Sequence, residues 1–251
     1  NNAEAMYALL EAENSLKYCD NSKLSGLVYL IMGNIYGSEC LYQNALYVYN
    51  ISHKLFNELN LDYHTVCSLN NIAECLYSLK EYERAEALLK DVCAIAQSSG
   101  YMELLSYALH SLCDIYVYTN RVDELGDVLI QFELNSCPIY FNLSYNYYCA
   151  IYQACVGNKA EALRLMKLAD SYHNIERTSV EHFKYFLYSY LGDKSQALHW
   201  LSMYTEQQEK LMLSILELPI LNTQIELLKR DMDIAKERAQ NLRFRYIIIF
   251  L

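Results

Sequence analysis

Small side chains recur along the chain at a fixed spacing of 40 residues. Two series show this spacing: Ala5, Ala45, Ala85 and Leu125 in one, and Gly33, Ala73 and Cys113 in the other. Between these slots the apolar residues follow the period of an amphipathic helix. Self-similarity at a period of this size predicts stacked pairs of α-helices rather than a closed globule.

The repeated unit consists of a helix, a short polar turn and a second helix. The turn and an apolar stripe after it are clearest in residues 79–96, 156–169 and 191–204, and apolar helices precede the turns, as in residues 29–36 and 68–77. Small side chains at two slots allow the paired helices to approach closely. Only 2 prolines and 7 glycines occur in the 251 residues, which favours an almost entirely helical chain because helix interiors exclude both residue types.

This unit resembles the tetratricopeptide repeat. That family's motif places a small residue in the first helix, an aromatic residue three positions later and an alanine early in the second helix. The five sets of slots are Gly33, Tyr36 and Ala45; Ala73, Leu76 and Ala85; Cys113, Tyr116 and Leu125; Ala150, Gln153 and Ala162; and Tyr185, Tyr188 and Ala197. Leu125 and Tyr185 depart from the pattern, and residues 3–19 resemble the second helix of an earlier repeat. The resemblance implies a right-handed α-solenoid over residues 1–218.

The resemblance also implies a binding groove, because in this family the first helix of each repeat lines the concave face. The groove residues carried over by slot are Asn34, Asn70, Glu74, Tyr77, His110, Asp114, Tyr118, Tyr147 and Ile151. Leu30 stands where family members that clamp a free carboxylate need lysine. An acidic, tyrosine-rich groove favours a basic or neutral peptide, or a sugar. The alternative is that some of these side chains only pack against neighbouring helices.

The pattern changes after Pro219, whose ring disrupts a helix interior. A heptad seam follows, with apolar residues spaced alternately by four and three: Leu221, Ile225, Leu228, Met232, Ala235, Ala239 and Leu242. A strict 3.5-residue period predicts a two-stranded coiled coil and therefore a homodimer. The alternative is a single amphipathic helix that caps the solenoid. Residues 219–251 are thus predicted to form a long helix of a second kind.

The sequence RFRYIIIFL at residues 243–251 places six consecutive apolar residues after two arginines. A membrane helix needs about 20 apolar residues, so this stretch is interpreted as the first turns of a membrane span. The alternative is an apolar helix end that docks on the solenoid. The order of repeats, heptad helix and membrane entry resembles bacterial membrane-anchored tetratricopeptide regulators. In that family the repeats are periplasmic, and a DNA-binding domain or histidine kinase is attached on the cytoplasmic side.

Composition narrows the range of partners and chemistry. The formal net charge is −10 and no basic stripe runs along the solenoid, which argues against direct nucleic-acid binding by this segment. The nine cysteines include no CxxC pair and the six histidines lack metal-ligand spacing, so no metal or cofactor is expected. The cysteines are interpreted as core residues; unpaired, they favour a reducing compartment, which conflicts with a periplasmic location.

No catalytic motif occurs, so we expect a non-catalytic chain. His110 and Asp114 lie one helical turn apart and share a face, as a polar pair in the groove or as a solvated pair. The favoured hypothesis is a sensory module, anchored in the inner membrane, that binds a peptide or protein and relays binding through the heptad helix. The alternatives are a soluble cytoplasmic scaffold for protein–protein interaction and an enzyme or enzyme regulator built on the same repeats.

Overall fold

Eleven α-helices and no β-strand make up the described part of the chain. The computed structural model describes residues 2–16, 21–135, 141–172 and 180–216. The helices are α1 (Asn2–Leu16), α2 (Ser22–Ser38), α3 (Tyr42–Glu58), α4 (Asp62–Ser78), α5 (Tyr82–Ser99), α6 (Met102–Tyr118), α7 (Val122–Leu134), α8 (Asn142–Cys155), α9 (Lys159–Ser171), α10 (Glu181–Leu191) and α11 (Lys194–Leu216). The predicted all-helical fold class is confirmed.

Parts of the predicted architecture fall outside the described residues. These are the break at Pro219, the heptad seam from Leu221 to Leu242 and the apolar stretch 243–251. The coiled coil, the dimer and the membrane entry therefore stay predictions. Within residues 2–16, 21–135, 141–172 and 180–216, no helix is both long enough and apolar enough to cross a membrane.

Consecutive helices pair as antiparallel hairpins, and the five pairs are α2–α3, α4–α5, α6–α7, α8–α9 and α10–α11. Helix α1 packs on α2 and precedes the first pair, in the place that the sequence assigned to the second helix of an earlier repeat. The hairpins start where the slot pattern predicted them. The slot residues Ala45, Ala73, Ala85 and Ala150 are each fully buried, because a larger side chain there would separate the two helices.

The turns between helices share one backbone conformation. A residue with positive φ closes the helix at Cys40, Asn60, Lys80, Gly100 and Asn120, spaced 20 residues apart. The residue after it then donates its N–H to the carbonyl five positions back, as from Leu41 to Tyr36 at 2.8 Å. This is the Schellman arrangement, which satisfies a carbonyl at the helix end and reverses the chain. It sets the 20-residue half period of the solenoid.

Replacing Lys80 by glycine is expected to stabilise the chain by about 0.5–1 kcal/mol. Lys80 is exposed and has φ 63°, a conformation that costs a residue with a Cβ atom more than it costs glycine. The net stabilisation is smaller than the strain energy that is relieved, because glycine also increases the conformational entropy of the unfolded chain. Urea unfolding of Lys80→Gly measures the effect. Lys80→Ala is the control, since it keeps the Cβ atom; an equal gain in that variant would contradict the explanation.

The first helices of the second to fifth hairpins form a continuous inner layer. Helix α4 contacts α6, α6 contacts α8 and α8 contacts α10. Within the described residues, no comparably extensive contact joins the second helices to one another. Closer approach among the first helices curves the stack towards them, so they line its concave face. This confirms the fold as an α-solenoid of helical hairpins.

Three thiols of the solenoid lie in its core. Of the seven cysteines in the described residues, Cys75, Cys93 and Cys113 are buried. Burial raises the pKa of Cys75 and of Cys93 to about 12, so both remain protonated at neutral pH. This agrees with the interpretation of these cysteines as small apolar residues.

One buried carboxylate connects the second and third hairpins. Glu86 on α5 accepts hydrogen bonds from Arg121, in the turn before α7, and from the Tyr116 hydroxyl at 3.0 Å. Lys90 lies 2.7 Å from the same carboxylate. Burial opposes ionisation, but the hydrogen bonds from Arg121, Lys90 and Tyr116 outweigh it and lower the pKa of Glu86 to about 2.

Glu86→Gln is expected to destabilise the chain by about 2 kcal/mol at pH 7. The lowered pKa of Glu86 alone corresponds to about 3 kcal/mol of stabilisation of the folded chain. Arg121 is partly exposed, and screening by solvent reduces this stabilisation. A carboxyl with a lowered pKa stabilises the fold above its unfolded pKa of 4.5 and loses that contribution as the pH falls towards about 2. Unfolding at pH 7, 4 and 3 should therefore show the variant converging on the wild type.

The matched control is Glu161→Gln, which removes a carboxylate paired with Arg164 on the surface of α9. Solvent screens that pair, so stability is expected to remain nearly unchanged. A pH-independent loss in Glu86→Gln would contradict the ionic explanation and would leave only a packing effect.

Candidate functional site

One opening beside the inner layer lies between α2, α3 and α4. It is a cavity of about 370 Å³. Its lining is mostly polar or aromatic: Asn34, Gly37, Ser38, Tyr42, Tyr49, Asn71, Glu74, Cys75 and Ser78. Two of the residues predicted from the sequence to line the groove, Asn34 and Glu74, are among them.

Hydrogen bonds between amide and hydroxyl groups join the walls of this cavity. The Tyr49 hydroxyl donates to Oδ1 of Asn34 at 2.8 Å, and Nδ2 of Asn71 donates to the same oxygen at 3.3 Å. Asn34 is nevertheless exposed and lines the cavity. Its side-chain amide can therefore donate hydrogen bonds to a ligand.

The carboxylate of Glu74 sits at the junction of the cavity with the rest of the inner layer. It accepts a hydrogen bond from Nδ2 of Asn70 at 3.3 Å. Burial raises the pKa of Glu74 to about 6; the Asn70 hydrogen bond opposes this effect, and the nearby charge of Asp114 reinforces it. No ion pair found in the described residues involves Glu74. Glu74 is thus a partly buried carboxylate without a cationic partner among those residues.

Asn70 itself is 3% exposed, and its Oδ1 atom has no hydrogen-bond partner in the described part of the chain. An unpaired buried carbonyl oxygen carries a desolvation cost. Its amide nitrogen is held against Glu74, so the free oxygen belongs to the same group of acceptors. A donor supplied from outside would reduce this cost.

A second cluster of polar side chains lies on the inner layer, at α6. The Tyr148 hydroxyl donates to Oδ1 of Asp114 at 2.7 Å and lies 3.3 Å from Nε2 of His110. Nδ1 of His110 is 4.0 Å from Oδ2 of Asp114. The sequence predicted the pairing of His110 with Asp114 on one helix face. It did not predict that Tyr148 on α8 would contact both.

Aromatic rings fill the inner layer where the last hairpin meets the middle of the solenoid. Tyr118 is at the centre of this cluster. Its ring is parallel to that of His182 at 6.1 Å between centroids, and its hydroxyl lies 3.3 Å from the hydroxyl of Tyr204. Tyr77, Tyr82 and Phe186 surround the same ring at 5.1–6.4 Å. The long helix α11 thus reaches the groove that the first helices form.

Two of the predicted groove residues belong to the core instead. Tyr147 and Ile151 are 0% and 1% exposed. The Tyr147 hydroxyl donates to Asp170 on α9, and its ring stacks on Phe183 at 5.1 Å. Their burial between helices α8, α9 and α10 leaves no surface for a ligand. The ligand contacts predicted for the other groove residues stay predictions.

Several cavity residues were not predicted from the sequence. Asn71, Tyr49 and Ser78 line the cavity, although the slot pattern selected only Asn70, Glu74 and Tyr77 on α4. Asn71 follows Asn70 directly, and the doubled amide is the signal that was available. Tyr49 belongs to the second helix of its hairpin, so no rule about first helices would have included it.

A second cavity of about 440 Å³ lies beside the N-terminal helix and is lined by Glu13, Tyr29, Met32, Tyr36, Gln43, Asn44, Tyr47, Val48 and Ile51. The Tyr29 hydroxyl donates to Glu13 at its edge at 2.9 Å. The carboxylate of Glu13 thus accepts a hydrogen bond from a tyrosine hydroxyl, whereas among the described residues the carboxylate of Glu74 in the first cavity accepts only from the Asn70 amide.

The side chains of the inner layer can contact a ligand through hydrogen bonds and through their charges. No group of His, Cys, Asp and Glu within the described ranges could hold a metal ion. Burial raises the pKa of the Cys75 thiol to about 12 and that of the Tyr77 hydroxyl well above its usual range. Both groups are therefore neutral at pH 7 and suit ligand contact better than nucleophilic attack.

These features define a helical-repeat protein, an α-solenoid with a polar and aromatic concave face. Residues 25–98 of this solenoid match the model of the tetratricopeptide repeat family. Comparison with curated proteins finds no match.

Solved structures agree with the fold at low sequence identity. BtubC (BKLC) from P. vanneervenii is 16% identical with a TM-score of 0.58, over 71% of this chain and 78% of that chain. The Rap conjugation gene regulator of plasmid pLS20, solved in complex with the Phr* peptide, is 15% identical with a TM-score of 0.57, over 96% of this chain and 71% of that chain. TPR-like repeats described as those of a kinesin light chain from Podospora anserina are 17% identical with a TM-score of 0.51, over 76% and 98% of the respective chains.

Proposed function

We propose that the concave face binds a peptide, or an extended segment of a protein partner, and that the chain serves as the input module of a regulator. The cavity between α2, α3 and α4 carries this proposal. It offers donors on Asn34 and acceptors on Glu74 within one opening of about 370 Å³. A peptide backbone presents alternating donors and acceptors, so such a lining matches its chemistry better than that of an apolar ligand.

Two further observations support binding of a peptide. Tyrosine rings extend the same face beyond the cavity, and aromatic side chains with polar tips are favoured where a surface contacts a partner. The Rap regulator, which has a similar fold, was solved with a peptide bound. Because identity to that protein is only 15%, the similarity supports the class of function and not the identity of the peptide.

The test is affinity selection from a degenerate hexapeptide library on the immobilised chain. Ser78→Trp places a large ring in the cavity and should reduce peptide recovery at least tenfold. Ser98→Trp puts the same ring on an exposed position of α5 and should leave recovery unchanged. Circular dichroism establishes that both variants are folded. Equal recovery from the two variants, or no selection by the wild type, would refute binding at this cavity.

The regulatory role in a membrane-anchored protein is a second part of this proposal. It rests on the heptad seam and on residues 243–251 in the sequence. Helix α11 is the longest helix of the described residues and contacts Tyr118 in the groove, so a ligand there would act directly on the element that precedes the seam. Reading the coding sequence beyond Leu251 tests this part: an apolar run of about 20 residues is expected, and its absence would favour the alternative of a cytoplasmic scaffold.

A further inference from the structure

A partly buried carboxylate without a counter-ion in the described residues lies on the proposed binding face. Glu74 lines the open cavity and accepts only the Asn70 amide, 3.3 Å away. Charged groups removed from water are normally paired, because an unpaired charge is costly to desolvate. The position of Glu74 on a cavity wall leaves room for the missing partner to come from outside the chain.

The surroundings of Glu74 are unusually rich in acceptors. Asp114 is next along the inner layer and is 14% exposed, with the Tyr148 hydroxyl at 2.7 Å and His110 at 4.0 Å as its polar contacts. The Oδ1 atom of Asn70, 3% exposed, has no partner within the described ranges. Asn70 is thus hydrogen-bonded to Glu74, the charge of Asp114 acts on Glu74, and the basic group that contacts Asp114 is the His110 imidazole.

The aromatic side chains nearby suit a cation as well. Tyr77 lies on the same helix as Glu74, and its ring is 6.1 Å from that of Tyr118. The faces of aromatic rings attract cations electrostatically. Burial, together with the charge of Asp114, raises the pKa of the Tyr77 hydroxyl, so this ring carries no competing negative charge.

We propose that Asn70, Glu74 and Asp114 form a subsite for a protonated amine or guanidinium group of the bound peptide. The ligand cation pairs with Glu74, donates to Oδ1 of Asn70 and is attracted by Asp114. The source of the cation is a lysine or arginine side chain, or the amino terminus of the peptide. This inference rests on the proposed peptide-binding function and adds the charge that the peptide must carry.

The experiment uses two hexapeptide libraries, one with free and one with acetylated amino termini, selected on the full chain. Enrichment of lysine or arginine at one position of the acetylated library, at least fivefold, assigns the cation to a side chain. Recovery that depends on a free terminus assigns it to the terminal ammonium. Selected peptides without either property would overturn the subsite.

The variants that decide the question are Glu74→Gln and Glu83→Gln. Both remove one negative charge from the second hairpin, but Glu83 is exposed on α5 and outside the cavity. Glu74→Gln should lose the enrichment and weaken binding of the selected peptide at least tenfold, whereas Glu83→Gln should change affinity less than twofold. Equal effects would mean that only the overall charge attracts the peptide, and the subsite would be refuted.

The two proposals fail in different ways. If Glu74→Gln selects the same peptides as the wild type while Ser78→Trp selects none, peptide binding at the cavity stands and the cation subsite falls. If the wild type selects no peptide from either library, the proposed function falls and the subsite falls with it.

Discussion

Gly33→Ala should destabilise the chain by about 2–3 kcal/mol. A Cβ atom on Gly33 would lie 2.3 Å from Cε1 of Tyr49 and 2.5 Å from Cδ1, far inside van der Waals contact. The ring of Tyr49 is buried between α2 and α3, and its hydroxyl is bonded to Asn34, so it cannot move away without losing packing. Overpacking of this kind outweighs the gain in helix propensity from glycine to alanine. Chemical denaturation measures the loss.

The control for this prediction is one helical turn away. Gly37 is also in α2, and a Cβ atom there would be 3.8 Å from the Tyr49 hydroxyl, an ordinary contact. Gly37→Ala should therefore be neutral or stabilise the chain by up to about 1 kcal/mol. The double variant Gly33→Ala with Tyr49→Leu should cost less than the sum of its single changes, because the smaller side chain removes the clash. Additive losses would contradict the proposed contact.

Gly33 also shows why the hairpins were predictable from the sequence. A helix pair that packs closely needs small residues at its crossing point, and the 40-residue spacing of Gly33, Ala73 and Cys113 marks those points along the chain. The side chain that fills the space above Gly33 is Tyr49. This contact across the hairpin is not specified by the spacing, because the spacing identifies the small residue and not the side chain that packs on it.

The turns were less predictable than the helices. Gly100, Asn60 and Asn120 are residue types that tolerate positive φ, and they signal the end of a helix. Cys40 and Lys80 adopt the same conformation without such a signal. Their geometry is imposed by the pairing of the flanking helices, so tertiary packing overrides the local preference at these two positions.

The groove was predictable only in part, for a geometric reason. The position of a residue in the repeat assigns it to one face of one helix. That face borders the neighbouring first helices as well as the open groove. Glu74 lines a cavity, whereas Tyr147 lies between helices and is fully buried. The contact of Tyr204 with Tyr118 joins residues 86 positions apart and depends on the curvature of the whole stack, which no repeat pattern encodes.

Phe183→Ala should be the most damaging single change, with a loss of about 3–5 kcal/mol. Phe183 is fully buried between α8 and α10. Its ring stacks on Tyr147 at 5.1 Å and meets Tyr148 edge-on at 5.2 Å. Truncation leaves a cavity at the contact between the fourth and fifth hairpins, and in a repeat stack each hairpin is stabilised mainly by its neighbours.

The loss should therefore be local as well as large. Hydrogen exchange of amides in α10 and α11 should accelerate about a hundredfold or more in Phe183→Ala, while amides of α4 and α5 should change little. Leu198→Ala is the matched control because Leu198 lies on the same hairpin and is 68% exposed. The Tyr148 hydroxyl also donates a hydrogen bond to Asp114. Loss of the Phe183 ring, which packs on Tyr148, would therefore loosen one contact of the proposed cation subsite. Uniform acceleration along the chain would instead indicate a single cooperative unit, and the view of separately stabilised hairpins would be wrong.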